Sequence, residues 1–394
     1  MAQSDWRDEE DVLKFSSQEI ERRHKKIREL MQVRGIDCLI VAGHTGTYGA
    51  EAADIGYISG VSQFFQGGYI LFPFAGEPVL FAASPFIADR VSEVCRIAVE
   101  AVVFRPGTRI RDYATSFVEK LKKMNLEKGT LGIVSMRVMP ADVYTALKRD
   151  LKNAKFVSAG DVLLEARRIK SQEEMEFIRR SGNCADKGVE AILEAAQPGV
   201  TEEELVAYCD QAMNKAGGPK GNFILLGSGP WPKMQGTIGG GGPRRLQNGD
   251  LILNEITSCY GGYYTQLCVP VSLGGDVPED FINLLDIHQT MHKTAFDQLR
   301  PGNWISEIEE KVAKAAGSSG EDFRRAWATQ STELAEAFFK LNTEVKAGMS
   351  YVIHPWTEWA SGKGFLGHTI GNTCIVKDGE PEIVHKSPLE LRVV

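Results

Sequence analysis

The chain has 394 residues, of which 43% are hydrophobic and 25% are charged, and its formal net charge is -7. Such a length and composition are typical of a globular protein with two or three domains, since one domain takes roughly 150 residues. The basic residues are scattered rather than clustered, which argues against a nucleic-acid-binding surface.

Neither a membrane span nor a secretion signal is predicted. No apolar run reaches the ~18 residues that a transmembrane helix needs. The N-terminal sequence MAQSDWRDEEDVLKF is acidic, whereas a signal peptide is basic and then apolar. The seven cysteines lack any CxxC spacing and are odd in number, so no disulfide framework is expected. We therefore expect a cytoplasmic protein with reduced cysteines.

Predicted helices and buried strands alternate in the first part of the chain. A helix with Ser16 or Ser17 as its N-cap ends at Gly35, and an apolar strand follows at 37–42. Further strands are predicted at 68–73, 78–82, 98–104, 130–134 and 155–157, with helices at 85–95, 111–124 and 141–150. This alternation is typical of an α/β layer, so residues 1–160 are predicted to form one domain.

A second domain, residues 161–394, is predicted to begin with helices. The helical stretch breaks at Ser171, which forms a capping box with Glu174, and Thr201 and Glu204 repeat this pattern. Residues 217–250 are rich in glycine and are predicted as loop. Later helices are predicted at 278–299, 305–316 and 331–341, and the last strands at 349–355 and 369–376.

A β-hairpin is predicted between these two groups of helices. Two apolar runs, 251–256 and 263–273, flank a predicted turn at 259–262 that ends in two glycines. Glu255 lies inside the first run and Gln266 inside the second. A carboxylate in an apolar strand costs several kcal/mol unless it is paired or used, so Glu255 is the strongest candidate for a functional residue.

The chain resembles the creatinase/aminopeptidase P/prolidase superfamily (peptidase M24), the pita-bread hydrolases. The resemblance rests on stretches at 167–182, 198–205, 249–266, 300–308 and 346–355, whose order and spacing are more specific than any one of them. It implies an α+β chain in which an N-terminal creatinase-like α/β domain precedes a C-terminal pita-bread domain of curved antiparallel sheet and flanking helices. It also implies a homodimer in which the partner's N-terminal domain closes each site.

The metallopeptidases of this superfamily bind two metal ions through five side chains. Matched position by position, their two Asp ligands fall on Glu255 and Gln266, and their two Glu ligands on His354 and Gly371. No residue in GEDFRRAWATQ matches their His. Two dications need several anionic oxygens, so no metal cofactor is expected. A single metal held by Glu255, His354 and His368 is the alternative.

Metal-free members of the superfamily suggest what replaces the metal. In creatinase, the catalytic His would fall near Thr237 or Ile238 and the substrate-binding Arg near Gly67, which argues against creatine as the substrate. In ectoine hydrolase, a Glu at the position of Glu255 is the covalent nucleophile. The resemblance therefore implies that Glu255 is a nucleophile or a general base.

Each of the remaining candidate residues has both a functional and a structural interpretation. Gln266 would orient the substrate or fill space, and His354 or His368 would donate a proton or simply be structural. Arg244 would bind a substrate carboxylate or pair with Glu255, and Cys268 has no His near it in sequence to activate it. The other substrate-binding candidates are aromatic residues that are also common in cores: Phe65, Tyr263, Tyr264, Trp356 and Trp359.

These observations together predict a metal-independent hydrolase that cleaves a carbon–nitrogen bond in a small polar molecule. Ring opening of an ectoine-like cyclic amidine is the specific expectation. The alternatives are a creatinase-like amidinohydrolase, a mononuclear-metal Xaa-Pro peptidase-like enzyme or lyase, and a catalytically inactive binding module. Neither a nucleic acid nor a membrane is expected as a partner.

Overall fold

The computed structural model describes residues 15–43, 50–61, 68–108, 111–218, 223–232, 241–316, 323–330, 343–359, 366–367 and 369–394. The chain forms two compact units, Met1–Arg168 and Ile169–Val394. The first unit extends past the predicted joint at residue 160, because the helix Gly160–Arg167 packs against the helix Ser17–Arg34. Among the described residues, no helix is both long and apolar enough to cross a bilayer.

The first unit is an α/β layer, as its alternating pattern predicts. Its elements in chain order are α1 (Ser17–Arg34), β1 (Cys38–Ala42), α2 (Ala50–Ser59), β2 (Tyr69–Pro73), β3 (Val79–Ala82), α3 (Pro85–Ser92), β4 (Ala98–Ala101), β5 (Val103–Phe104), β6 (Arg111–Asp112), α4 (Tyr113–Lys123), β7 (Thr130–Val134), a 3-10 turn (Met136–Val138), α5 (Ala141–Asp150), β8 (Lys155–Ser158) and α6 (Gly160–Arg167). Helix α2 was not predicted.

The six-stranded sheet of this unit has the order β4-β3-β2-β1-β7-β8. Strand β1 pairs antiparallel with β2 and parallel with β7. Its side chains are buried on both faces, with Leu39 and Val41 in one hydrophobic core and Cys38 and Ile40 in the other. Burial on both faces explains why this strand is a continuous apolar run in the sequence.

The second unit combines helices with two five-stranded sheets. Its elements are α7 (Gln172–Ala195), α8 (Glu202–Lys215), β9 (Phe223–Gly229), β10 (Leu251–Tyr260), β11 (Tyr263–Leu267), β12 (Val271–Ser272), α9 (Glu279–Gln298), α10 (Ile305–Ala315), β13 (Phe323–Gln330), β14 (Ser350–Trp359), β15 (Leu366–Gly367), β16 (Asn372–Ile375), β17 (Glu382–Ile383) and β18 (Arg392–Val393). The helix predicted at 331–341 lies outside the described residues.

Strand β10 is the longest strand of the first sheet and is longer than predicted. The turn comprises only Gly261 and Gly262, whose φ angles of 60° and 86° suit a two-residue hairpin turn. Cys259 and Tyr260, predicted to lie in the turn, pair with β11 instead. The loop prediction for 217–250 is wrong at 223–229, because β9 pairs with β10 from Leu251 to Thr257.

The two faces of the hairpin have different environments. On one face, Ile256 and Leu267 belong to the core that includes α7 residues, and Ser181, Ser258 and Thr265 join their hydroxyl groups at 2.9–3.1 Å. Side chains of a strand alternate between its faces. Glu255 and its cross-strand neighbours therefore lie on the other face.

Two contacts join the hairpin to the second sheet. Cys268 and Gly371 exchange backbone hydrogen bonds of 2.8 and 3.2 Å. Two residues along, Thr373 Oγ1 accepts a hydrogen bond from the Gln266 backbone N–H at 2.9 Å and donates to the Gln266 carbonyl at 3.3 Å. A side-chain hydroxyl thus takes the place of a backbone partner at this seam.

Replacing Thr373 with Val should therefore destabilise the unit. Val keeps the shape of Thr but leaves the buried Gln266 backbone groups without the hydroxyl, which costs about 1–3 kcal/mol. Urea unfolding measures this loss, and Thr373→Ser, which keeps the hydroxyl, is the control. A Val variant as stable as the wild type would show that the hydroxyl does not join the sheets.

Candidate active site

Four strands bring Glu255 and His354 into one transverse row. Ile256 pairs with Leu267, which places Glu255 opposite Cys268. Cys268 bridges to Gly371, and the pairing of Ile353 with Asn372 places Gly371 opposite His354. Directly opposed residues share a face, so Glu255, Cys268 and His354 project to the same side. Three strand spacings of ~4.8 Å separate the ends of the row by about 14 Å in a flat sheet.

Glu255 is almost completely buried, with 7% of its surface exposed. Its Oε1 accepts a hydrogen bond of 2.8 Å from Gln266 Nε2. Burial raises the pKa of Glu255 to about 7, although the Gln266 hydrogen bond acts to lower it. A carboxylate that titrates near neutral pH suits a general base or nucleophile, since both the charged and the neutral forms are accessible.

Gln266 is held in place by its backbone and by its side chain. Besides the Thr373 contacts, its Nε2 donates to Thr257 Oγ1 at 3.1 Å as well as to Glu255. Thr257 and Gln266 are directly opposed in the hairpin register, so both lie on the Glu255 face. Glu255, Thr257 and Gln266 therefore form one hydrogen-bonded group on this face of the hairpin.

Only small groups lie between Glu255 and His354 in the row. A Cβ atom built on Gly371 would lie 2.5 Å from the His354 Cβ, so glycine alone fits there without a shift. The neighbouring Cys268 is fully buried, and burial followed by the nearby Glu255 charge raises its thiol pKa well above the usual value. Cys268 is thus a neutral thiol, which argues against a role for Cys268 as a nucleophile.

Two histidines without a predicted role support this row. His288 and His292 are one turn apart on α9 and are buried. His292 Nε2 donates to Asn372 Oδ1 at 2.8 Å, and His288 Nδ1 lies 2.7 Å from Thr369 Oγ1. They fix the chain on both sides of Gly371. The sequence signal for them is two histidines four residues apart on the apolar face of a helix.

Two predicted substrate-binding residues have partners elsewhere. The Tyr263 hydroxyl donates to Glu174 Oε1 at 2.6 Å, which ties the hairpin to the capping box of α7. Arg244 binds both oxygens of Asp250 at 2.6 and 2.9 Å and also Ser228 Oγ at 2.8 Å. Both side chains are therefore engaged in holding the fold together.

The structure shows the position of only some of the remaining candidate residues. Tyr264 pairs with Cys259, which puts it on the Glu255 face of the hairpin. Trp356 and Trp359 lie on β14, but their side chains are outside the described part of the chain. Phe65 and His368 are also outside it. Their proposed roles stay predictions.

The side chains at this site do not fit a dinuclear metal centre. Glu255 is the single carboxylate at the matched positions, Gln266 turns its Nε2 toward that carboxylate, and Gly371 has no side chain. An amide N–H is a hydrogen-bond donor and not a metal ligand. Among the described residues, no group of three or more His, Cys, Asp or Glu side chains is arranged to hold a metal ion.

Comparison with known proteins finds two matching families. Residues 176–390 match metallopeptidase family M24. Residues 23–169 match the creatinase/prolidase N-terminal domain. The boundary between the two matches falls at the end of the first compact unit.

Three curated relatives illustrate the range of named activities. The chain is 26% identical to an Xaa-Pro dipeptidase from Pyrococcus horikoshii over 72% of this chain and 73% of that protein. It is 25% identical to a creatinase from a Bacillus species, covering 76% and 71% of the two chains. It is 22% identical to an ectoine hydrolase from Halomonas elongata, covering 79% of each.

A solved structure shows the same fold. A prolidase from Thermococcus sibiricus superimposes with a TM-score of 0.78 and 18% identity, covering 95% of this chain and 99% of that one. The predicted architecture is thereby confirmed: a creatinase-like N-terminal domain followed by a C-terminal pita-bread domain.

Replacing Glu255 with Gln should stabilise the protein more at pH 8 than at pH 5. The pKa of Glu255 is raised from 4.5 to about 7 by burial, so its ionisation destabilises the folded state increasingly between these values and fully above pH 7. Full ionisation of Glu255 lowers the free energy of unfolding of the wild type by about 3 kcal/mol, and the Gln variant has no such loss. About 2–3 kcal/mol of this difference develops between pH 5 and pH 8. Urea unfolding of both proteins at each pH measures the difference. A pH-independent difference would contradict the burial argument.

Replacing Tyr263 with Phe should lower stability without touching the Glu255 face. The loss of one buried hydrogen bond to a carboxylate is expected to lower the free energy of unfolding by about 1–3 kcal/mol. Tyr208→Phe is the matched control, since Tyr208 is 48% exposed and its change should have little effect. Equal stability of the two variants would argue against the Tyr263–Glu174 contact as a fold-stabilising one.

Proposed function

Since the chain belongs to metallopeptidase family M24, we propose that it is a hydrolase that cleaves a carbon–nitrogen bond in a small polar molecule without a metal ion. The observation that carries the proposal is the buried Glu255, held by Gln266 and set in one row with His354. A family fold that has exchanged its ligand carboxylates for Gln, His and Gly retains one carboxylate able to act by itself.

Glu255 would act on an electrophilic carbon bonded to nitrogen. In one route its carboxylate attacks that carbon, and water later hydrolyses the covalent intermediate. In the other it removes a proton from water, and the hydroxide adds to the carbon. Either way a C–O bond forms, one C–N bond breaks and the departing nitrogen gains a proton. A pKa of about 7 keeps a large fraction of Glu255 ionised at neutral pH.

His354 would supply the proton to the departing nitrogen. It is buried, with 3% of its surface exposed, and lies on the same face as Glu255 at the other end of the row. Cys268 and Gly371 add little side-chain bulk between the two groups, and the proposal requires the curved sheet to bring both side chains within reach of one ligand. Imidazole titrates near neutral pH, which suits a general acid.

A cyclic amidine of the ectoine type is the proposed substrate. The ectoine hydrolase from Halomonas elongata is one of the relatives that match over most of the chain. For such a ring, water addition and C–N cleavage yield an amide and an amine within one product molecule. The small-molecule substrate and the homodimer with a shared site stay predictions.

The proposal predicts that the purified protein opens an ectoine-type cyclic amidine and that a chelator leaves the rate unchanged. Glu255→Gln should reduce turnover by at least about a hundredfold, whereas Glu380→Gln, at an exposed site, should not. Product formation is followed by NMR, and kcat/KM should rise with pH as Glu255 ionises around pH 7. Intact mass during turnover distinguishes the two routes, because only the nucleophile route gives a covalent adduct.

Three results would contradict this proposal. Chelator-sensitive cleavage of an Xaa-Pro dipeptide would favour the mononuclear-metal alternative. Hydrolysis of creatine in preference to the cyclic amidine would favour a creatinase-like enzyme. Binding of the amidine without turnover, in a protein that unfolds cooperatively, would favour a binding module.

A further inference from the structure

The side-chain amide of Gln266 has one polar atom that the fold leaves without a hydrogen bond. Its Nε2 uses both hydrogens, donating to Glu255 Oε1 at 2.8 Å and to Thr257 Oγ1 at 3.1 Å. Its Oε1 is buried and receives no hydrogen bond from the described residues. Gln266 is itself only 3% exposed, so this acceptor is part of the interior of the site.

When Glu255 is ionised, its carboxylate selects the orientation of the Gln266 amide. Turning the amide over would then point Oε1 at a group that has no hydrogen to donate. The ionised form prevails above about pH 7, since the pKa of Glu255 is about 7. Thr373 holds the Gln266 backbone on both its N–H and its carbonyl, so the side chain starts from a fixed position. Since Nε2 faces β10, Oε1 points away from Glu255.

An unsatisfied buried carbonyl oxygen is unfavourable until a donor reaches it. The Glu255 carboxylate, which accepts from Gln266 Nε2, is a second acceptor beside it. A ligand with an N–H group can satisfy the Gln266 oxygen, and a cationic one also offsets the buried negative charge. A ligand that presents only carbonyl or ether oxygens would place acceptor against acceptor. The two neighbouring acceptors therefore discriminate between ligands by their N–H groups.

We propose that Gln266 Oε1 is a specificity-determining acceptor for an N–H of the substrate, which restricts the substrate class to amidinium-type or guanidinium-type cations that carry N–H groups. This inference rests on the proposed function, because it names the substrate class of the same site. It assigns Gln266 a role in recognition in addition to its contact with Glu255.

Three cyclic amidinium probes test the inference at constant charge. They are 2-methyl-tetrahydropyrimidinium, with two N–H groups, its 1-methyl derivative, with one, and its 1,3-dimethyl derivative, with none. Calorimetry on Glu255→Ala, which should not turn them over and adds no N–H beside Gln266 Oε1, is expected to show weaker binding as N–H groups are removed. The loss should be about tenfold to a hundredfold between the first and the last probe.

Two variants then assign this preference to one atom. Gln266→Met in the same background keeps a similar volume but removes the acceptor, so the preference for N–H groups should disappear. Thr257→Val removes only a partner of Nε2, so the preference should persist. Circular dichroism and urea unfolding check that each variant is folded. If either variant fails to fold, the probe series with Gln266 intact still tests the inference.

Equal binding of all three probes with Gln266 intact would overturn the inference, and it is also the result expected if a buried water satisfies Oε1. A preference for N–H groups that survives in Gln266→Met would overturn it too, as would a failure of every probe to bind. Turnover of a cyclic amidine by the wild type without the N–H preference would defeat only this inference. The N–H preference without any turnover would instead defeat the proposed hydrolase.

Discussion

The hydrogen bond of 2.8 Å between Gln266 Nε2 and Glu255 Oε1 is the interaction on which the candidate site depends. A carboxylate buried in an apolar strand is costly, and a neutral amide offsets only part of that cost. The result is a carboxyl group whose pKa is about 7, where an arginine or a metal ion in the same place would have held it fully ionised. Under the proposed function, this incomplete compensation lets Glu255 act as a base or a nucleophile.

The surrounding fold is arranged to keep this pair in place. Thr373 holds the Gln266 backbone, and His288 and His292 hold the segment that carries Gly371. On the opposite face of the hairpin, a hydroxyl cluster and the Tyr263–Glu174 hydrogen bond fix the hairpin against α7. These contacts link residues about 80 to 110 positions apart in the chain. The candidate site is thus held in place by contacts that form only when the second unit has folded.

Local patterns in the sequence predict the elements well, and long-range partners poorly. Strand β7 and helix α5 have the predicted bounds, and both capping boxes are present, because each depends on neighbouring residues. Strand β9 was missed because glycines surround it and only pairing with β10 makes it a strand. The role of Arg244 was open for a related reason: Asp250 is only six residues away in the chain, but the contact with Ser228 requires a fold that brings β9 beside it. The row from Glu255 to His354 needs the register of four strands, which no single motif encodes.

The close approach of Gly371 and His354 limits which side chains this part of the row can hold. A side chain at 371 would begin with a Cβ 2.5 Å from the His354 Cβ, a distance that real Cβ atoms essentially never show. The resemblance places a ligand Glu at each of these two positions in the metallopeptidases. With this backbone, no residue other than glycine fits at 371 without a shift, whichever side chain stands at 354, because every residue except glycine carries the Cβ that makes the contact. Two Glu ligands at these positions would therefore require a wider spacing between the two strands than this chain has.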